Sequence, residues 1–452
     1  PVEVNTGPVG FIERDGQTNP YVIRRAPFRV YDAMEPVGAS FASVETPTVV
    51  RLHLPVPADA RAGRRQYVVQ VAAGGDRLEL GLDVTVHGAV IPPVGGGSLP
   101  YTNWFTLDYM ATRHGLKPWS EAHWRMIRQY ADLMAHGRQN TFWIPLGCIF
   151  AARRGVAVLD RPRLRRLVDT FTRAGLHYIE GGHVAGRTGG EWSATTFDTT
   201  VVRARATSPE GNAVLAHLGR QLTEEIDRHG WRDRWIQHVT DEPTDSNAVD
   251  YRILTGMTRR HFPGLPILDA TMDPALVGSV DIWCPQCQEY QKHRERFDAQ
   301  RALGDRIWFY TCCFPGGPWL NRLLDMELLR PALFGWAAAL YDLHGFLHWG
   351  LNHYKGFQDP FEQSVVDHGG GNCLPPGDTH IVYPGDGRPW SSLRLEAQRE
   401  GFEDYELLRQ LREREPRRAA AVTRKAIRAF DQYTKDARTF RRARRALLEA
   451  LG

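Results

Sequence analysis

The chain contains 452 residues, of which 42% are hydrophobic and 24% are charged, and its formal net charge at pH 7 is +4. These proportions are typical of a water-soluble globular protein, and so small a net charge gives no reason to expect a nucleic-acid partner. No run of about 18 or more apolar residues occurs, so we expect no membrane span. The chain starts with Pro1 rather than an initiator methionine, so we expect a processed or trimmed N-terminus in a soluble protein, either cytoplasmic or secreted.

The chain has six cysteines, and two of them, Cys284 and Cys287, have the spacing found in zinc and redox sites. A second such pair is missing, and the neighbours Cys312 and Cys313 cannot easily offer both sulfurs to one tetrahedral ion. We therefore predict buried free thiols, and neither a metal nor another cofactor.

The first 97 residues differ in pattern from the rest of the chain. Short runs of alternating polar and apolar residues, at 64–71 and 78–86, are separated by the turn residues 72–76. This pattern is typical of antiparallel strands, and a Pro- and Gly-rich stretch at 91–97 indicates a linker. We predict a β-sandwich domain over residues 1–97.

Residues 98–395 alternate between helical and strand patterns. Ser120 is placed to cap one helix that Gly137 ends, and Pro162 lies in the first turn of another that Gly175 ends. The predicted strands are 103–107, 141–146, 177–180, 234–239, 266–271, 280–284, 307–312 and 345–349. Eight apolar strands in about 250 residues indicate an α/β fold with a (β/α)8 TIM-like barrel. A doubly wound open sheet is the alternative, but no Gly-rich phosphate loop follows the first strand.

Residues 396–452 are helical in pattern and rich in arginine. Nucleic-acid binding is conceivable for such a segment, but a solvated face of helices packed on the barrel is favoured. We predict a C-terminal helical segment without a nucleic-acid partner.

The dipeptide formed by Asp241 and Glu242 lies where the predicted strand 234–239 runs into a loop. Adjacent residues of a strand point to opposite faces, so both acids can reach one pocket only where the strand ends. Two like charges held close push one carboxyl towards staying protonated, as acid-assisted cleavage of a glycosidic bond requires. The alternative is a helix N-cap before Pro243. The position after the fourth barrel strand, where such barrels carry their chemistry, favours the catalytic interpretation.

Several segments together resemble glycoside hydrolase family 123, the exo-acting β-N-acetylgalactosaminidases, and the related bacterial glycoside-hydrolase-like domains. The matching segments, in the same order as in the family, are 104–108, 118–124, 238–243, 345–354, 382–385 and 394–405.

This resemblance implies a retaining exo-glycosidase that releases terminal β-linked N-acetylgalactosamine from a glycan or glycoconjugate. It implies substrate-assisted catalysis, in which the 2-acetamido oxygen attacks the anomeric carbon and forms an oxazolinium-like intermediate. Glu242 is then the acid and base, and Asp241 accepts the acetamide N–H. The spacing agrees, because adjacent carboxyls are too close to flank a bond as an acid and a separate nucleophile.

Other polar and aromatic residues near strand ends are candidates for substrate binding: Asp108, Trp143, His183, His238, Tyr310, Trp349, Asn352 and Tyr354. For the aromatic residues, plain core packing is an equal alternative, and for His238 a buried core role is the stronger one.

Two other functions stay open at this point. A glycosidase for another sugar, either β-N-acetylglucosamine or one without an acetamido group, would keep Glu242. A non-catalytic barrel that only binds carbohydrate would need neither acid. The sequence leaves the oligomeric state open.

Overall fold

The structure is a computed structural model that describes residues 1–4, 22–42, 47–354, 358–362, 366–369 and 372–452. Within these ranges the chain has a mixed α/β fold. None of the helices in this described part is long and apolar enough to cross a bilayer.

Helices and strands alternate through the middle of the chain, and helices dominate its last part. Within the described residues the helices are α1 (Leu107–Thr112), α2 (Glu121–His136), α3 (Leu146–Ile149), α4 (Arg161–Ala174), α5 (Pro209–Arg228), α6 (Ala248–His261), α7 (Cys287–Lys292), α8 (Arg294–Ala302), α9 (Leu329–Ala332), α10 (Phe334–Tyr341), α11 (Leu393–Arg414), α12 (Pro416–Ala426) and α13 (Ala437–Leu451). The strands of the same ranges are β1 (Val2–Val4), β2 (Phe28–Val30), β3 (Ala33–Met34), β4 (Gly63–Ala73), β5 (Asp76–Val86), β6 (Tyr101–Asn103), β7 (Thr141–Ile144), β8 (Phe150–Arg153), β9 (Val156–Leu159), β10 (Tyr178–Gly181), β11 (Ala185–Arg187), β12 (Phe197–Thr199), β13 (Trp235–Gln237), β14 (Leu268–Ala270), β15 (Ile282–Cys284), β16 (Arg306–Tyr310), β17 (Gly345–His348), β18 (Val366–Gly369), β19 (Asn372–Leu374), β20 (Tyr383–Gly385), β21 (Arg388–Ser392), β22 (Ile427–Ala429) and β23 (Gln432–Tyr433).

Eight short parallel strands form the centre of the fold. They make a three-stranded sheet in the order β13-β10-β7 and a five-stranded sheet in the order β14-β15-β16-β17-β6. A parallel bridge between Gln237 and Ile267 joins the two sheets on one side. On the other side, the backbone N–H of Asn140 donates to the Tyr101 carbonyl at 3.3 Å. These pairings give a curled parallel arrangement in the predicted strand order, and the closed (β/α)8 barrel stays a prediction.

Each of the eight predicted strand segments overlaps one of these strands. The first was misplaced: the strand is Tyr101–Asn103, because Leu107 already begins helix α1. Two of the predicted helix signals are confirmed. At the start of α2, Ser120 Oγ accepts from the His123 N–H at 3.3 Å, and at the end of α4, Gly175 has a left-handed φ of 108°. Gly fits that position because it has no Cβ to clash.

Four of the five described strands of the N-terminal region form two-stranded pairs rather than larger sheets. Strands β4 and β5 form a long antiparallel hairpin whose residues are mostly exposed on both faces. Strand β3 pairs with β21, far along the chain, rather than with a neighbouring N-terminal strand. In the described part of residues 1–97 there are no two packed sheets, so the sandwich and its boundary at residue 97 stay predictions. Alternation identifies a strand, but it does not say what covers the strand.

The C-terminal helices pack on the rest of the described fold, while the predicted domain boundary at residue 396 stays a prediction. Helix α11 contributes a buried face, and two of its acids bind arginines: Arg409 with Glu406, and Arg444 with Asp404, both at 2.8 Å. Helix α11 packs closely on α9 and α10 at two glycines. A Cβ on Gly335 of α10 would collide with the Gly401 carbonyl of α11, and a Cβ on Gly401 would collide with the Ala332 carbonyl of α9.

The substitution Gly401→Ala should therefore reduce the free energy of unfolding by about 1–3 kcal/mol, because the added methyl group forces α11 away from the backbone of α9. The matched control is Gly256→Ala in helix α6, where an added Cβ meets nothing within 4 Å. That change should stabilise the protein by about 0.4–1 kcal/mol. Urea unfolding of both variants measures the difference, and equal effects would contradict the predicted helix contact.

Candidate active site

A cavity of about 900 Å³ opens where the parallel strands end. Asp241 and Glu242 come shortly after β13, Tyr310 ends β16, and Trp349 follows β17. The other residues that line it are Trp104, Tyr109, Arg187, Trp192, Ala270, Met272, Gln286, Cys312, Cys313, Phe314, Leu347, His353, Leu374, Asp378 and Thr379. Its size is that of a small-molecule site.

The backbone turns sharply at the acid pair, and this turn directs both side chains into one cavity. The chain stays extended as far as Val239, whose carbonyl accepts from the Ala185 N–H at 3.0 Å. Glu242 then has a left-handed φ of 43°, which is uncommon for a residue with a side chain. Arg187 holds the turn by donating to the carbonyls of Glu242 at 2.6 Å and of Asp241 at 3.3 Å. Backbone strain held in place by neighbouring groups is typical of functional sites.

The electrostatic surroundings raise the pKa of both carboxyls. The side chain of Asp241 faces the cavity, where the surrounding protein leaves it less water than a carboxyl has in bulk solvent. This desolvation raises the pKa of Asp241, and the negative charge of Glu242 raises it further. Loss of water also raises the pKa of Glu242. The hydroxyl of Tyr310 donates to Glu242 Oε1 and, with Arg187, opposes that rise. The two coupled acids can therefore share a proton near neutral pH.

Near the pair lies a fully buried group of three ionisable side chains. His238 Nε2 is 2.6 Å from Glu180 Oε1, and its Nδ1 is 2.9 Å from Asp269 Oδ1. Burial alone lowers the pKa of His238, but the hydrogen bonds to Asp269 and Glu180 outweigh it and raise the pKa to about 9. We call Glu180, His238 and Asp269 the buried triad, in which the imidazole carries a positive charge at neutral pH.

The buried triad also orders its surroundings. Asp269 Oδ1 accepts from the Val239 N–H at 3.1 Å, and its Oδ2 accepts from the Tyr251 hydroxyl at 2.5 Å. Glu180 Oε1 also accepts from the indole N–H of Trp104 at 2.8 Å. The triad thus fixes both the segment before the acid pair and one aromatic wall of the cavity.

A second tryptophan of the cavity is held in the same manner. The indole N–H of Trp349 lies 3.2 Å from each carboxylate oxygen of Asp378. Burial raises the pKa of Asp378 to about 7, although the Trp349 hydrogen bond and the charges of Arg322 and Arg394 oppose this.

Two groups of three side chains in the described residues have ligand atoms within 4.8 Å of one another. One is His183 with His238 and Asp269, but both ring nitrogens of His238 already face carboxylates, and its proton competes with any metal. The other consists of His53, His136 and Glu396. There, Arg51 and Arg399 lie 3.3 and 3.4 Å from Glu396, and these positive charges oppose a cation.

The thiols behave largely as predicted. Cys284, Cys287 and Cys312 are buried, Cys148 and Cys313 are partly buried, and all five are free. Burial raises the pKa of the Cys284 and Cys287 thiols, so neither is a ready thiolate ligand. The side chain of Cys373 lies outside the described part.

Four of the ten predicted site residues line the cavity: Asp241, Glu242, Tyr310 and Trp349. The substrate-binding roles of the other six stay predictions, and the structure gives most of them different partners.

Three of the six lie behind the cavity wall. Trp143 stacks on Trp104 with ring centres 4.6 Å apart, and the ring of His183 meets both indoles edge-on. His238, in the buried triad, has no solvent exposure. These residues support the wall rather than form it.

The remaining three are turned away from the cavity. Asp108 is exposed in the first turn of helix α1. The amide of Asn352 binds the backbone of Thr106 through both its oxygen and its nitrogen, at 2.9 and 3.2 Å. The hydroxyl of Tyr354 is buried and donates to the Val382 carbonyl at 2.6 Å.

Sequence reasoning missed several residues of the site. Glu180 and Asp269 are single acids inside predicted apolar strands, and an isolated buried charge signals a partner. Trp104 lies in one of the segments used for the family resemblance. Arg187 and Asp378 carry no local signal, because their partners are far away in the chain.

The chain is similar to known glycoside hydrolases in sequence and in fold. Residues 191–411 match the family model described as glycoside hydrolase 123, catalytic domain. The fold resembles that of a family 123 glycoside hydrolase from Clostridium perfringens, whose structure was determined to analyse glycolipid glycan hydrolysis. The TM-score is 0.67 and the identity 13%, over 87% of this chain and 75% of that chain. At this identity, the likeness shows a shared fold.

Two family 10 xylanases are more distant. One, from termite gut, has a TM-score of 0.37 and 12% identity over 78% of this chain and 87% of its own. The other, from Thermobacillus composti, has a TM-score of 0.37 and 13% identity over 62% and 94%. No curated protein matches the sequence.

The buried triad generates a prediction about pH. The His238 ring should titrate with a midpoint near 9, above the value of about 6.5 for a free histidine. Because folding raises this pKa, the stabilisation is complete below pH ~6.5 and is lost as the pH rises through about 9. Nitrogen NMR of labelled histidines measures the midpoint, with His238→Gln identifying the signal.

Glu180→Gln should lower this midpoint, because one of the two carboxylates is lost. Glu224→Gln is the control, since Glu224 pairs with Arg161 on the surface, and it should leave the midpoint unchanged. A midpoint below 6.5 in the parent protein would mean a neutral His238 and would contradict the assignment.

Proposed function

We propose a specific reaction on the basis of the match between residues 191–411 and the catalytic domain of glycoside hydrolase family 123, a match that supports a glycosidase. The enzyme releases terminal β-linked N-acetylgalactosamine from a glycan or glycoconjugate, with retention of configuration and with assistance from the 2-acetamido group of the substrate.

One observation carries the proposal: two adjacent carboxyls, Asp241 and Glu242, line one cavity. The two residues are neighbours in the chain, and the left-handed backbone conformation of Glu242 gives both side chains access to the same bound sugar. Direct displacement in retaining glycosidases requires carboxyls about 5 Å apart on either side of the bond. Neighbouring residues on one side of the cavity suit a mechanism in which the substrate supplies its own nucleophile.

In the first step the acetamido oxygen attacks C1 of the sugar, and the bond from C1 to the leaving oxygen breaks. Glu242 gives its proton to that oxygen. Asp241 accepts the acetamide N–H, whose hydrogen bond strengthens as positive charge develops on the group. In the second step Glu242 takes a proton from a water molecule as the water oxygen attacks C1. The bond between C1 and the acetamide oxygen breaks, and the free acetamide group is restored.

The raised pKa values of both carboxyls are consistent with an ionised Asp241 and a protonated Glu242 in the substrate complex. When the acetamide N–H binds Asp241, it favours the ionised form of that carboxyl. The negative charge of Asp241 then raises the pKa of its neighbour, so the shared proton stays on Glu242, where the leaving oxygen needs it.

The cavity walls can hold the rest of the sugar. The Tyr310 hydroxyl, which donates to Glu242 in this structure, is close enough to the pair to turn to the acetamide oxygen when substrate is present. Trp104 and Trp349 offer aromatic surface to the acetamide methyl group and the sugar face, and their indole N–H groups are already occupied by Glu180 and Asp378.

Glu242→Gln should slow turnover most for substrates with poor leaving groups, because these need protonation in the transition state, where general acid catalysis contributes about 100- to 10,000-fold. Aryl glycosides with a graded series of phenols measure this as a steeper dependence of kcat/KM on leaving-group acidity. An equal loss for every phenol would rule out Glu242 as the acid.

Asp241→Asn keeps the shape of the side chain but removes its charge. A charged hydrogen bond that strengthens only in the transition state is worth about 2–4 kcal/mol, so kcat should fall about 30- to 1000-fold. A thiazoline analogue of the intermediate should bind the parent much more tightly than the free sugar does, and most of that advantage should vanish in Asp241→Asn.

Aryl glycosides that differ at C2 and C4 test the sugar. The proposal requires hydrolysis of the 4-axial 2-acetamido substrate. Preference for the 4-equatorial epimer would make the enzyme a β-N-acetylglucosaminidase, and undiminished turnover of a 2-hydroxy substrate would exclude acetamide assistance. If no glycoside is cleaved, a carbohydrate-binding role remains.

A further inference from the structure

Trp192 is an exposed aromatic residue at the cavity. Its side chain is 57% exposed, although it lines the same cavity as Asp241 and Glu242. It lies on the connection between β11 and β12, the two strands of an antiparallel hairpin beside the acid pair. Tryptophan is suited to such a position, because its ring offers a flat apolar face to a ligand while its N–H can stay in water.

The ring is held by the same residue that holds the acid pair. The guanidinium carbon of Arg187 lies over Trp192 at 3.9 Å from the ring centre. Arg187 also donates to the backbone carbonyls of Asp241 and Glu242. The Arg187 side chain therefore links the position of Trp192 to the backbone of the acid pair.

The connection itself is also anchored. The Thr188 N–H donates to the Thr196 carbonyl at 3.0 Å, and the two threonine hydroxyls lie 2.8 Å apart. Asn247 donates to the Ala194 carbonyl at 3.4 Å. An aromatic surface that is ordered before binding loses less conformational entropy when a ligand covers it.

The identity of the ligand follows from the role of Glu242, and this step rests on the proposed function. A general acid must lie within hydrogen-bond reach of the leaving oxygen, so the leaving group emerges from the cavity beside Glu242. Trp192 lines the same cavity and shares Arg187 with the backbone of Glu242. A leaving group that emerges beside Glu242 can therefore reach the indole.

We propose that Trp192, held by Arg187, is a binding platform for a sugar ring in the leaving group. The C–H face of a pyranose matches a flat aromatic surface, and its hydroxyls stay in the open water around the exposed indole. The preferred substrate is thus a glycan in which the released sugar is attached to another sugar, rather than to a simple alcohol or an alkyl chain.

Three substrates with the same N-acetylgalactosaminyl donor test this. One is a disaccharide with a hexose leaving group, the second is the 2-methoxyethyl glycoside, and the third is the hexyl glycoside, which represents an apolar chain. Trp192→Ala should lower kcat/KM for the disaccharide about 5- to 30-fold and change the other two less than about twofold. The loss should lie mainly in KM, because the ring is bound in the ground state as well.

Trp192→Phe should recover most of the activity on the disaccharide, since it keeps an aromatic face. Trp119→Ala is the matched control: Arg163 lies over this tryptophan at 4.2 Å, away from the residues that line the cavity. It should change all three substrates by one common factor. Melting temperatures of all variants monitor folding.

An equal loss on all three substrates in Trp192→Ala would overturn the platform and leave a structural role. A loss confined to the hexyl glycoside would overturn the sugar in favour of an apolar leaving group. If the parent cleaves none of the three, the proposed function is wrong and the platform falls with it. If the parent cleaves the disaccharide and Trp192→Ala does so equally well, only the platform is wrong.

Discussion

The site depends most on the buried triad of Glu180, His238 and Asp269. Its members come from three neighbouring strand segments, so their hydrogen bonds fix the spacing of those segments near the acid pair. The three groups are held together without water, and such burial is costly unless the partners are present. Loss of His238 would leave two buried carboxyls without a cation between them. Loss of Glu180 would release the indole of Trp104, and loss of Asp269 would release the backbone N–H of Val239. The triad therefore holds in place both a tryptophan of the cavity and the segment before the acid pair.

The indole rings of Trp104 and Trp349 are held in the cavity walls by the same kind of hydrogen bond. Each N–H is directed at a buried carboxylate: that of Glu180 for Trp104, and that of Asp378 for Trp349. An indole held at its polar end presents its faces and edges in a defined direction, which is what a shaped sugar pocket requires. Trp192, by contrast, is held through its face by Arg187. The inner walls are thus more constrained than the mouth, as expected if the inner sugar is fixed while the outer group varies.

Much of the central fold could be predicted from sequence because buried parallel strands leave strong apolar runs between capped helices. The acid pair was also predictable, since two acids at a strand end have few structural explanations. Asp108, Asn352 and Tyr354 show where this reasoning stops: each follows a strand, but helix α1 or a local turn directs its side chain elsewhere. Asp378 was not predictable because its partners belong to tertiary structure alone. The N-terminal strands were recognisable as strands, but alternation carries no information about which surface covers them.

One buried ion pair joins two distant parts of the chain. Arg394 binds Asp32 at 2.9 Å and also donates to the carbonyls of Gly377 and His380, which flank Asp378. Asp32 also accepts from the hydroxyl of Tyr383 at 2.6 Å. On the ribosome, Asp32 is made some 360 residues before Arg394, so this carboxylate has no cation from helix α11 until the last part of the chain emerges. Contacts so far apart in sequence form slowly. We therefore expect the loop that carries Asp378 to order late in folding, after Asp32 and Arg394 have met.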